Sequence, residues 1–600
     1  SAVDTYRSVA RKKFQQIWAE DGPGDSEDVE AFVQRHARLL PFGGPRRPPG
    51  PLPPTVAGLL RADAAREGEH AFVHPSVQQF LAAVFFVLER EEGDADAEAL
   101  GGLRRLFSKA EQLRNPGLVQ AGRFVFGLCN ARRAAELEAA LGLRVSPEAA
   151  REALRCQAGL DPEKPLSEDT RELLCCVFES QEEALAREAT ADLQDVSVRL
   201  PDVSVMAHWA FCLKHCQNLR RISLRVSEGI FLETRPILNP RTEPESSSPS
   251  LRFLDMSDSF LSNSSVRLLS EHIMRNSCLL QKAVIRNVAP EYATRDICLA
   301  FIGKKTLTHL TLEGNVQWDQ MMLVLLYEML RNRRCNLQYL RLDSHSATTQ
   351  QWGDFFVSLT INQTLTFLDL SDIELLDEGG KLLCAALKHP KCSLQRLSLE
   401  NCLLTEAFCK QLIGVLIVNP KLTHLCLSKN DLGNKGVKLL CKGLRYPDCQ
   451  LQALVLRQCN ISRCGCIYLS KALEEGCSLA TLDLGLNPID AGLWFICEAL
   501  MSPHCNLKCL VLWGCSIMPS HCRDLGSALV NNKNLETLDL GQNYLGKTGI
   551  TAFFETLKET NITLKTLRLK TDVCNLEIQK MLKKIKENSP KLTIQCNAAK

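Results

Sequence analysis

The stretch Leu479-Ala-Thr-Leu482-Asp-Leu484-Gly-Leu-Asn487 recurs along much of this chain of 600 residues. Two later copies read Leu507-Lys-Cys-Leu510-Val-Leu512-Trp-Gly-Cys515 and Leu535-Glu-Thr-Leu538-Asp-Leu540-Gly-Gln-Asn543. The first leucines of consecutive copies stand 28 or 29 residues apart, and they are Leu337, Leu365, Leu394, Leu422, Leu451, Leu479, Leu507, Leu535, Leu564 and Leu592. Such a regular period indicates a protein built from repeated structural units.

The pattern inside each copy, L-x-x-L-x-L-x-x-N/C, is that of a leucine-rich repeat. Leu482 and Leu484 are two residues apart, so on a β-strand both side chains lie on one face and point into the unit. Asn487 follows where the chain turns away from the strand, and its short polar side chain can satisfy backbone groups of the turn. Each copy therefore predicts a strand followed by a turn.

The residues after each turn predict an α-helix. Val437, Leu440, Cys441 and Leu444 have the i, i+3, i+4, i+7 spacing of one apolar helix face. One strand and one helix cannot bury their apolar faces alone, so we expect the units to stack into a curved solenoid. The predicted fold class is α/β, a leucine-rich-repeat horseshoe preceded by an all-α helical region.

The composition argues against several classes of protein. The formal net charge is only +2, so no overall basic field favours nucleic acid. No apolar run reaches the roughly 20 residues of a membrane-spanning helix. The 27 cysteines often fall at repeat positions, such as Cys384, Cys441 and Cys515, and we expect buried free thiols in a reducing compartment.

Two parts of the sequence resemble the NLRP branch of the NOD-like receptors. The motif Phe72-Val-His74-x-Ser-Val-Gln-Gln-Phe80-Leu-Ala-Ala and the helical block after it look like the end of that family's winged-helix domain and its second helical domain, HD2. The repeats look like those of the family, and they also resemble ribonuclease inhibitor, whose two alternating repeat types share these lengths. The residues around Cys212-Leu-Lys-His-Cys-Gln-Asn-Leu219 are most similar to the reproductive, oocyte-expressed members.

The resemblance predicts four regions. Residues 1–58 resemble the helical segment before the nucleotide-binding NACHT domain, followed by a linker rich in Pro and Gly. Residues 59–100 resemble a remnant of the winged-helix domain, and residues 101–205 resemble HD2. Residues 206–600 form the repeat domain. The pyrin and NACHT domains that a complete member carries are not recognisable in this sequence.

The resemblance also implies a cytoplasmic regulatory protein rather than an enzyme. The implied role is to bind protein partners through the repeats. It includes modulation of inflammatory signalling, through NF-κB or caspase-1, or scaffolding of complexes in the oocyte and early embryo. Two alternatives stay open, an ATP-dependent NACHT switch in the complete protein and an activity like that of ribonuclease inhibitor.

Two local features suggest nucleotide chemistry. His74 matches the family histidine that contacts a nucleotide phosphate, so the resemblance makes it the candidate cofactor residue once a NACHT domain is supplied. Gly541-Gln-Asn-Tyr-Leu-Gly546-Lys547-Thr548 matches the phosphate-loop pattern letter by letter. Asn543 and Leu545 are repeat positions, however, and should commit the loop amides to the turn. We therefore expect no ATP or ADP on this chain alone.

No catalytic or metal site is expected. His208, Cys212, His215 and Cys216 have the chemistry of metal ligands, and three of them would share a helix face. We expect Cys212 and Cys216 to pack against the core instead. The twelve histidines are scattered over different repeats, and no Ser/His/Asp arrangement can be recognised.

The predicted binding surface is the strand side of the horseshoe, where side chains alternating with the buried leucines point away from the core. The candidate partner-binding residues are Arg341, Asp343, Asp369, Glu400, Arg457, Asp483, Trp513, Asp539 and Arg568. Their charges are mixed, which argues against nucleic acid. Trp513 is an aromatic of the type enriched in binding hot spots, and the alternative is that it only covers neighbouring strands.

Overall fold

The computed structural model describes residues 60–62, 70–72, 75–87, 103, 106–114, 116–141, 144–146, 149–157, 168–228, 251–314, 321–343, 347–557, 562–570 and 576–597. The predicted segment 1–58 and His74 lie outside these residues. The chain divides into two compact units. The first contains the described residues up to Arg252, and the second those from Phe253 onward.

The first unit is mainly helical. Two short antiparallel strands, β1 (Leu60–Ala62) and β2 (His70–Phe72), precede the helices. The helices are α1 (Pro75–Val87), α2 (Lys109–Arg114), α3 (Gly117–Leu128), α4 (Ala131–Leu141), α5 (Ala149–Gln157), α6 (Glu168–Ser180), α7 (Glu183–Ala189) and α8 (Val203–His215). Helix α3 lies at the centre of the core: Phe124 and Phe126 are fully buried, and Phe124 contacts Phe80 edge to face at 5.8 Å between ring centroids.

The first unit ends with parallel strands. Strand β3 (Asp195–Leu200) pairs in parallel with β4 (Arg221–Val226), and α8 connects them. Inward side chains alternate along β3, where Val196, Val198 and Leu200 are buried. Strand β3 begins before residue 206, where the repeat domain was predicted to start. The position of that domain boundary stays a prediction.

The second unit is a solenoid of parallel strands. Each described strand pairs with the next one along the chain. They are β5 (Phe253–Phe260), β6 (Lys282–Ala289), β7 (His309–Glu313), β8 (Tyr339–Leu342), β9 (Phe367–Asp369), β10 (Arg396–Ser398), β11 (His424–Cys426), β12 (Ala453–Val455), β13 (Thr481–Asp483), β14 (Cys509–Val511), β15 (Thr537–Leu540), β16 (Thr566–Lys570) and β17 (Thr593–Asn597). The predicted leucine-rich-repeat fold is confirmed.

Helices connect these strands and form the other layer. They are α9 (Asn263–Met274), α10 (Glu291–Phe301), α11 (Met321–Arg331), α12 (Thr349–Val357), α13 (Leu376–Leu387), α14 (Glu406–Val418), α15 (Gly433–Leu444), α16 (Arg463–Glu474), α17 (Leu493–Met501), α18 (Cys522–Asn531), α19 (Gly546–Leu557) and α20 (Leu576–Asn588). Short 3₁₀ helices occupy Ser358–Thr360, Asp490–Gly492 and Pro519–His521. Consecutive helices pack on one another, as the stacking of repeats requires.

The core lies between the two layers. Leu482 and Leu484 are completely buried, and so is Val437 on the predicted apolar face of α15. Buried Asn430, Asn487 and Asn543 alternate, from one repeat to the next, with buried Cys402, Cys459 and Cys515. Asn487 accepts hydrogen bonds from the amides of Cys459 and Ile461 and donates to the carbonyls of Leu456, Leu484 and Gly485. The predicted role of the turn asparagine is confirmed.

A second asparagine ladder, which the sequence analysis did not identify, supports the helix-to-strand turns. Asn362, Asn419 and Asn532 are buried after helices α12, α14 and α18, whereas Gly476 stands at the same position after α16. Each asparagine donates to a carbonyl of the preceding repeat and accepts from two amides of its own turn, as Asn419 does with Leu387, Lys421 and Leu422. In the other repeat type this turn holds a buried cysteine after Pro-x, namely Cys392, Cys449 or Cys505.

The described cysteines are free thiols, and most are buried. Burial raises the pKa of Cys402, Cys459 and Cys515 to about 12 each. Such thiols behave as small apolar groups with weak hydrogen-bond donors. Their predicted burial is therefore confirmed. No described helix combines the length and the apolar character that crossing a bilayer requires.

Candidate protein-binding face

The strand register brings the predicted surface residues into two rows, which together we name the strand face. The first row, in register across the sheet, consists of Arg341, Asp369, Ser398, Cys426, Val455, Asp483, Val511, Asp539 and Arg568. The second row lies two residues further along each repeat and consists of Asp343, Ser371, Glu400, Ser428, Arg457, Gly485, Trp513, Gly541 and Lys570. Every predicted partner-binding residue therefore belongs to one of two adjacent rows.

Trp513 lies against its neighbours rather than projecting freely. A Cβ atom added to Gly541 would approach Trp513 Cδ1 to 2.5 Å, so the indole covers the bare backbone of Gly541. On the other side, the Arg457 guanidinium lies 5.8 Å from the indole centroid, within cation–π range. The half-buried indole thus keeps part of its surface open while its position is fixed by two neighbours.

A second glycine, Gly485, lies beneath the side chain of Arg457. A Cβ atom on Gly485 would lie 3.2 Å from Arg457 Nε and 3.2 Å from the Trp513 carbonyl oxygen. The two planar groups, guanidinium and indole, therefore lie over glycines 485 and 541. We name Arg457, Gly485, Trp513 and Gly541 the platform. Its shape follows from the absence of two side chains, since any larger residue would lift the planar groups from the sheet.

Two aspartates of the first row position Arg457 of the platform and Arg568 of strand β16. Asp483 accepts a hydrogen bond from the Gly485 amide at 2.8 Å and forms an ion pair with Arg457 at 3.1 Å. Asp539 repeats this arrangement, with the Gly541 amide at 2.9 Å and Arg568 at 3.6 Å. Each aspartate therefore fixes the turn of its own repeat with one oxygen and orients an arginine with the other.

A different network occupies the earlier strands. Arg341 forms ion pairs with both Glu313 and Asp369, the latter at 2.8 Å, and Glu313 also pairs with Arg286 at 2.6 Å. Burial opposes the charge on Arg341, but Asp369 and Glu313 outweigh that effect and raise its pKa. Asp369 continues the network through the hydroxyl of Ser371, which donates to it at 2.6 Å.

Aromatic rings lie two residues before the first row on strands β7, β8 and β9. The rings of His309 and Tyr339 stack at 5.7 Å, and Tyr339 meets Phe367 edge to face at 4.9 Å. Burial and then the charge of Asp369 raise the pKa of Tyr339, whereas burial and Lys282 lower the pKa of His309. At neutral pH these groups therefore add polar but uncharged rings to the strand face.

Two of the predicted residues, Glu400 and Asp343, lie outside the platform and the arginine network. Glu400 forms an ion pair with Lys429 at 2.7 Å, on the rim of the sheet, and this contact raises the pKa of Lys429. Asp343 is half-buried after β8, and its amide donates to the Leu312 carbonyl. The function of all nine predicted residues as partner contacts stays a prediction.

The loop that matches the phosphate-binding pattern forms hydrogen bonds within the repeat structure. The Gly541 amide donates to Asp539, and the Asn543 side chain accepts from Cys515 and Ile517. Lys547 forms an ion pair with Glu577 at 2.8 Å. That the chain alone holds no nucleotide stays a prediction.

The residues with metal-ligand chemistry on α8 have other partners. Cys212 and Cys216 are buried, as predicted, and their thiols donate to carbonyls including those of Leu174 and Thr190. His208 lies 3.2 Å from the Cys175 sulfur through Nδ1 and packs on Phe178. Within the part of the chain that the structure describes, no group of three or more His, Cys, Asp or Glu side chains could hold a metal ion.

Arg286, Glu313, the aromatic row and the role of the glycines were not predicted from the sequence. A sequence signal for the earlier strands existed, because Leu307-Thr-His-Leu310-Thr-Leu312-Glu-Gly-Asn has the full repeat pattern. Its first leucine stands 30 residues before Leu337, outside the regular spacing. Extending the pattern by one unit would have added Glu313 to the second row.

Comparisons with known proteins agree with this architecture. Residues 74–188 match the family described as NLRC4 helical domain HD2. NACHT, LRR and PYD domains-containing protein 2 from Homo sapiens is 47% identical over 611 residues, covering 98% of this chain and 56% of that protein. NACHT, LRR and PYD domains-containing protein 7 from Homo sapiens is 43% identical over 625 residues, covering 99% and 57%.

Among solved structures, an internalin from Listeria monocytogenes matches 64% of this chain and 92% of its own chain at 15% identity, with a TM-score of 0.34. At that TM-score the likeness adds no argument to the fold described above. The chain spans about half the length of the curated relatives it matches. Both the identities and the breadth of the alignments confirm the resemblance: the chain is a homologue of the NLRP proteins, the branch of the NOD-like receptors named for NACHT, LRR and PYD domains.

Proposed function

We propose that this chain is a non-enzymatic interaction module of a cytoplasmic, NOD-like-receptor-type regulatory protein, and that its strand face binds a protein partner. Homology to the NLRP proteins supports the regulatory class. The family resemblance supports the finer role, which is to modulate inflammatory signalling or to scaffold complexes of the oocyte and early embryo. The chemistry of the strand face supports the choice of a protein as ligand.

The platform is the observation that carries the proposal. Tryptophan and arginine are the residue types most enriched in binding hot spots. Here both are held in place before any partner arrives, because the indole lies on Gly541 and the guanidinium is paired with Asp483. A rigid aromatic surface loses little conformational entropy on binding, which favours affinity.

The charges of the strand face suit a protein better than a nucleic acid. Arg341, Arg457 and Arg568 each have an aspartate partner on the neighbouring strand. Nucleic acid binding relies on basic groups that neutralise phosphates and release counterions. Because these arginines are already neutralised in pairs, the face offers alternating polarity and apolar area, which is the pattern of a protein interface.

The test compares two tryptophans of the same chain. Trp513→Ala removes the platform, whereas Trp494→Ala removes an exposed indole, 49% accessible, from helix α17 on the other layer. Tagged chains recover partners from oocyte or lymphoid extracts, and quantitative mass spectrometry compares the recovered proteins. We expect the specific partners to survive Trp494→Ala and to be lost with Trp513→Ala, with a loss of about 2 kcal/mol or more in subsequent titrations.

A second variant separates the indole itself from its placement. Gly541→Val keeps Trp513 but displaces its indole from the backbone of residue 541. A Cβ atom at residue 541 alone would already lie 2.5 Å from Trp513 Cδ1. We expect Gly541→Val to weaken the same partners as Trp513→Ala. Equal recovery by the wild type and both platform variants would refute a role of the platform in binding.

A further inference from the structure

Helix α20 and the strand after it concentrate positive charge at one place on the second unit. Residues 562–570 and 576–597 carry eight lysine and arginine side chains and two glutamates, whereas the net charge of the whole chain is only +2. Five of the basic groups, Lys580, Lys583, Lys584, Lys586 and Lys591, are exposed. The excess charge is therefore local to this surface, which we name the α20 surface.

These five lysines differ from Lys547 and Lys565. In the described part of the chain, no carboxylate lies within ion-pair distance of any of the five. Lys547 pairs with Glu577 at 2.8 Å and Lys565 pairs with Glu536 at 2.6 Å, so neighbouring lysines are neutralised by the repeat stacking. Among the residues that the structure describes, the lysines of the α20 surface have no such acid. An external anion would supply the missing charge.

Exposed aliphatic groups accompany the lysines. Leu576, at the first turn of α20, is 72% exposed and lies on the same outward side as Lys580 and Lys583, which follow it at helical spacing. Leu582 and Ile594 line a shallow depression of about 460 Å³, together with Gln579, Lys583, Lys586 and one acid, Glu587. The opposite side of the helix is buried through Ile578, Met581 and Ile585.

The combination distinguishes between classes of anion. A cluster of about four to eight basic residues on an amphipathic helix is typical of binding to anionic lipid. Single-stranded nucleic acid would call for aromatic rings on which bases stack, and residues 562–570 and 576–597 contain no Phe, Tyr or Trp. We propose that the α20 surface docks on membranes that contain anionic lipid, with the lysines at the headgroups and Leu576 inserted among them.

The expected strength follows from the number of lysines. Each basic side chain close to an anionic bilayer contributes a roughly fivefold gain in affinity, which corresponds to about 1 kcal/mol. Lys583→Gln with Lys586→Gln should therefore weaken binding about 25-fold. Because the Debye length is about 3 Å at 1 M salt, binding should also disappear at high ionic strength.

The experiment is co-sedimentation of the full 600-residue chain with vesicles. One set contains phosphatidylcholine alone, and the other contains phosphatidylcholine with 30% phosphatidylserine. The matched control replaces two exposed lysines on other helices, Lys381→Gln with Lys410→Gln. Thermal unfolding of each variant verifies that the fold is unchanged, as expected for exposed positions.

Binding to the anionic vesicles that is lost in K583Q/K586Q and retained in K381Q/K410Q supports the proposal. A weaker effect of Leu576→Ser would support insertion of that side chain. Equal binding to both vesicle types, or equal loss in the two double variants, overturns it. So does failure to bind either vesicle type, whether or not the chain binds a single-stranded RNA or a polyglutamate peptide.

Discussion

Replacing Asn487 by alanine should destabilise the solenoid more than any exposed polar substitution in the same repeat. The Asn487 side chain is 1% exposed and connects two repeats through five hydrogen bonds. In Asn487→Ala, the buried amides of Cys459 and Ile461 lose their acceptor. The Gly485 carbonyl also loses a donor in this variant, but it still accepts a hydrogen bond from the Gln458 amide.

The magnitude follows from the two orphaned amides. A buried donor left without a partner costs roughly 1–3 kcal/mol, so two of them should cost about 4 kcal/mol. Asn506→Ala is the matched control, since this exposed asparagine makes one hydrogen bond, from its side chain to the Cys477 carbonyl. Its loss should cost about 1 kcal/mol or less.

The assay combines urea unfolding with hydrogen exchange, because the repeats of a solenoid need not unfold together. We expect a lower urea midpoint for Asn487→Ala and faster exchange in peptides that contain residues 459 and 461. Exchange near residues 515 and 517, which depends on Asn543, should change less. A loss below about 1 kcal/mol with unchanged exchange at residues 459 and 461 would refute the ladder as a major source of stability.

Two further predictions concern the thiols and the nucleotide. Because burial raises the pKa of Cys402, Cys459 and Cys515 from 9.0 to about 12, their contribution to stability is complete below pH 9 and decreases as the pH rises towards 12. Urea midpoints should therefore fall above pH 9, and the fall should be shallower in a triple Cys→Ala variant; the same pH dependence in both proteins would contradict this. A fluorescent ATP analogue with Mg²⁺ should show no saturable binding to wild type or to Lys547→Ala, since the Gly541 amide donates to Asp539 and the Asn543 side chain donates to the carbonyls of Leu512 and Gly541. Binding abolished by the lysine substitution would show that the loop at Gly541 holds phosphate.

Much of the fold could be predicted because the repeats share one spacing of apolar residues. The counterparts of Leu482 and Leu484 reappear at the same spacing in every copy except the one that begins at Leu592, so one strand face is apolar by sequence alone. Asn543 and Leu545 could be assigned to the turn and the core for the same reason. This register also explains why a match to a phosphate-loop pattern was interpreted as part of a repeat.

Features that occur once, or at a longer interval, escaped prediction. Asn419 and Asn532 recur irregularly, with Gly476 at the equivalent position between them, and lie where polar residues are common, so their burial is visible only in the packed structure. The unit that begins at Leu307 departs from the regular spacing, and Glu313 was missed with it. Ion pairs such as Arg286–Glu313 also depend on rotamers that sequence does not specify.

The candidate site was predictable as a surface but not as a shape. Alternation along the strands identified Trp513 and Arg457 as surface residues. Their mutual contact at 5.8 Å, and the support from Gly485 and Gly541, depend on the stacking of four consecutive repeats. A glycine just after a strand is a weak signal by itself, because its role depends on the neighbouring side chain that fills the space above it.

The central claim is that the strand face contacts the partner, and site-specific photo-cross-linking tests it most directly. A photoreactive residue is placed at Thr537, which lies in register with Cys509 at the start of β15, or at exposed Lys410 on helix α14 of the other layer. After irradiation in an extract that contains the partners recovered by the wild type, we predict adducts of those partners at position 537 and none at position 410. Adducts confined to position 410, or equal at both positions, would contradict the account.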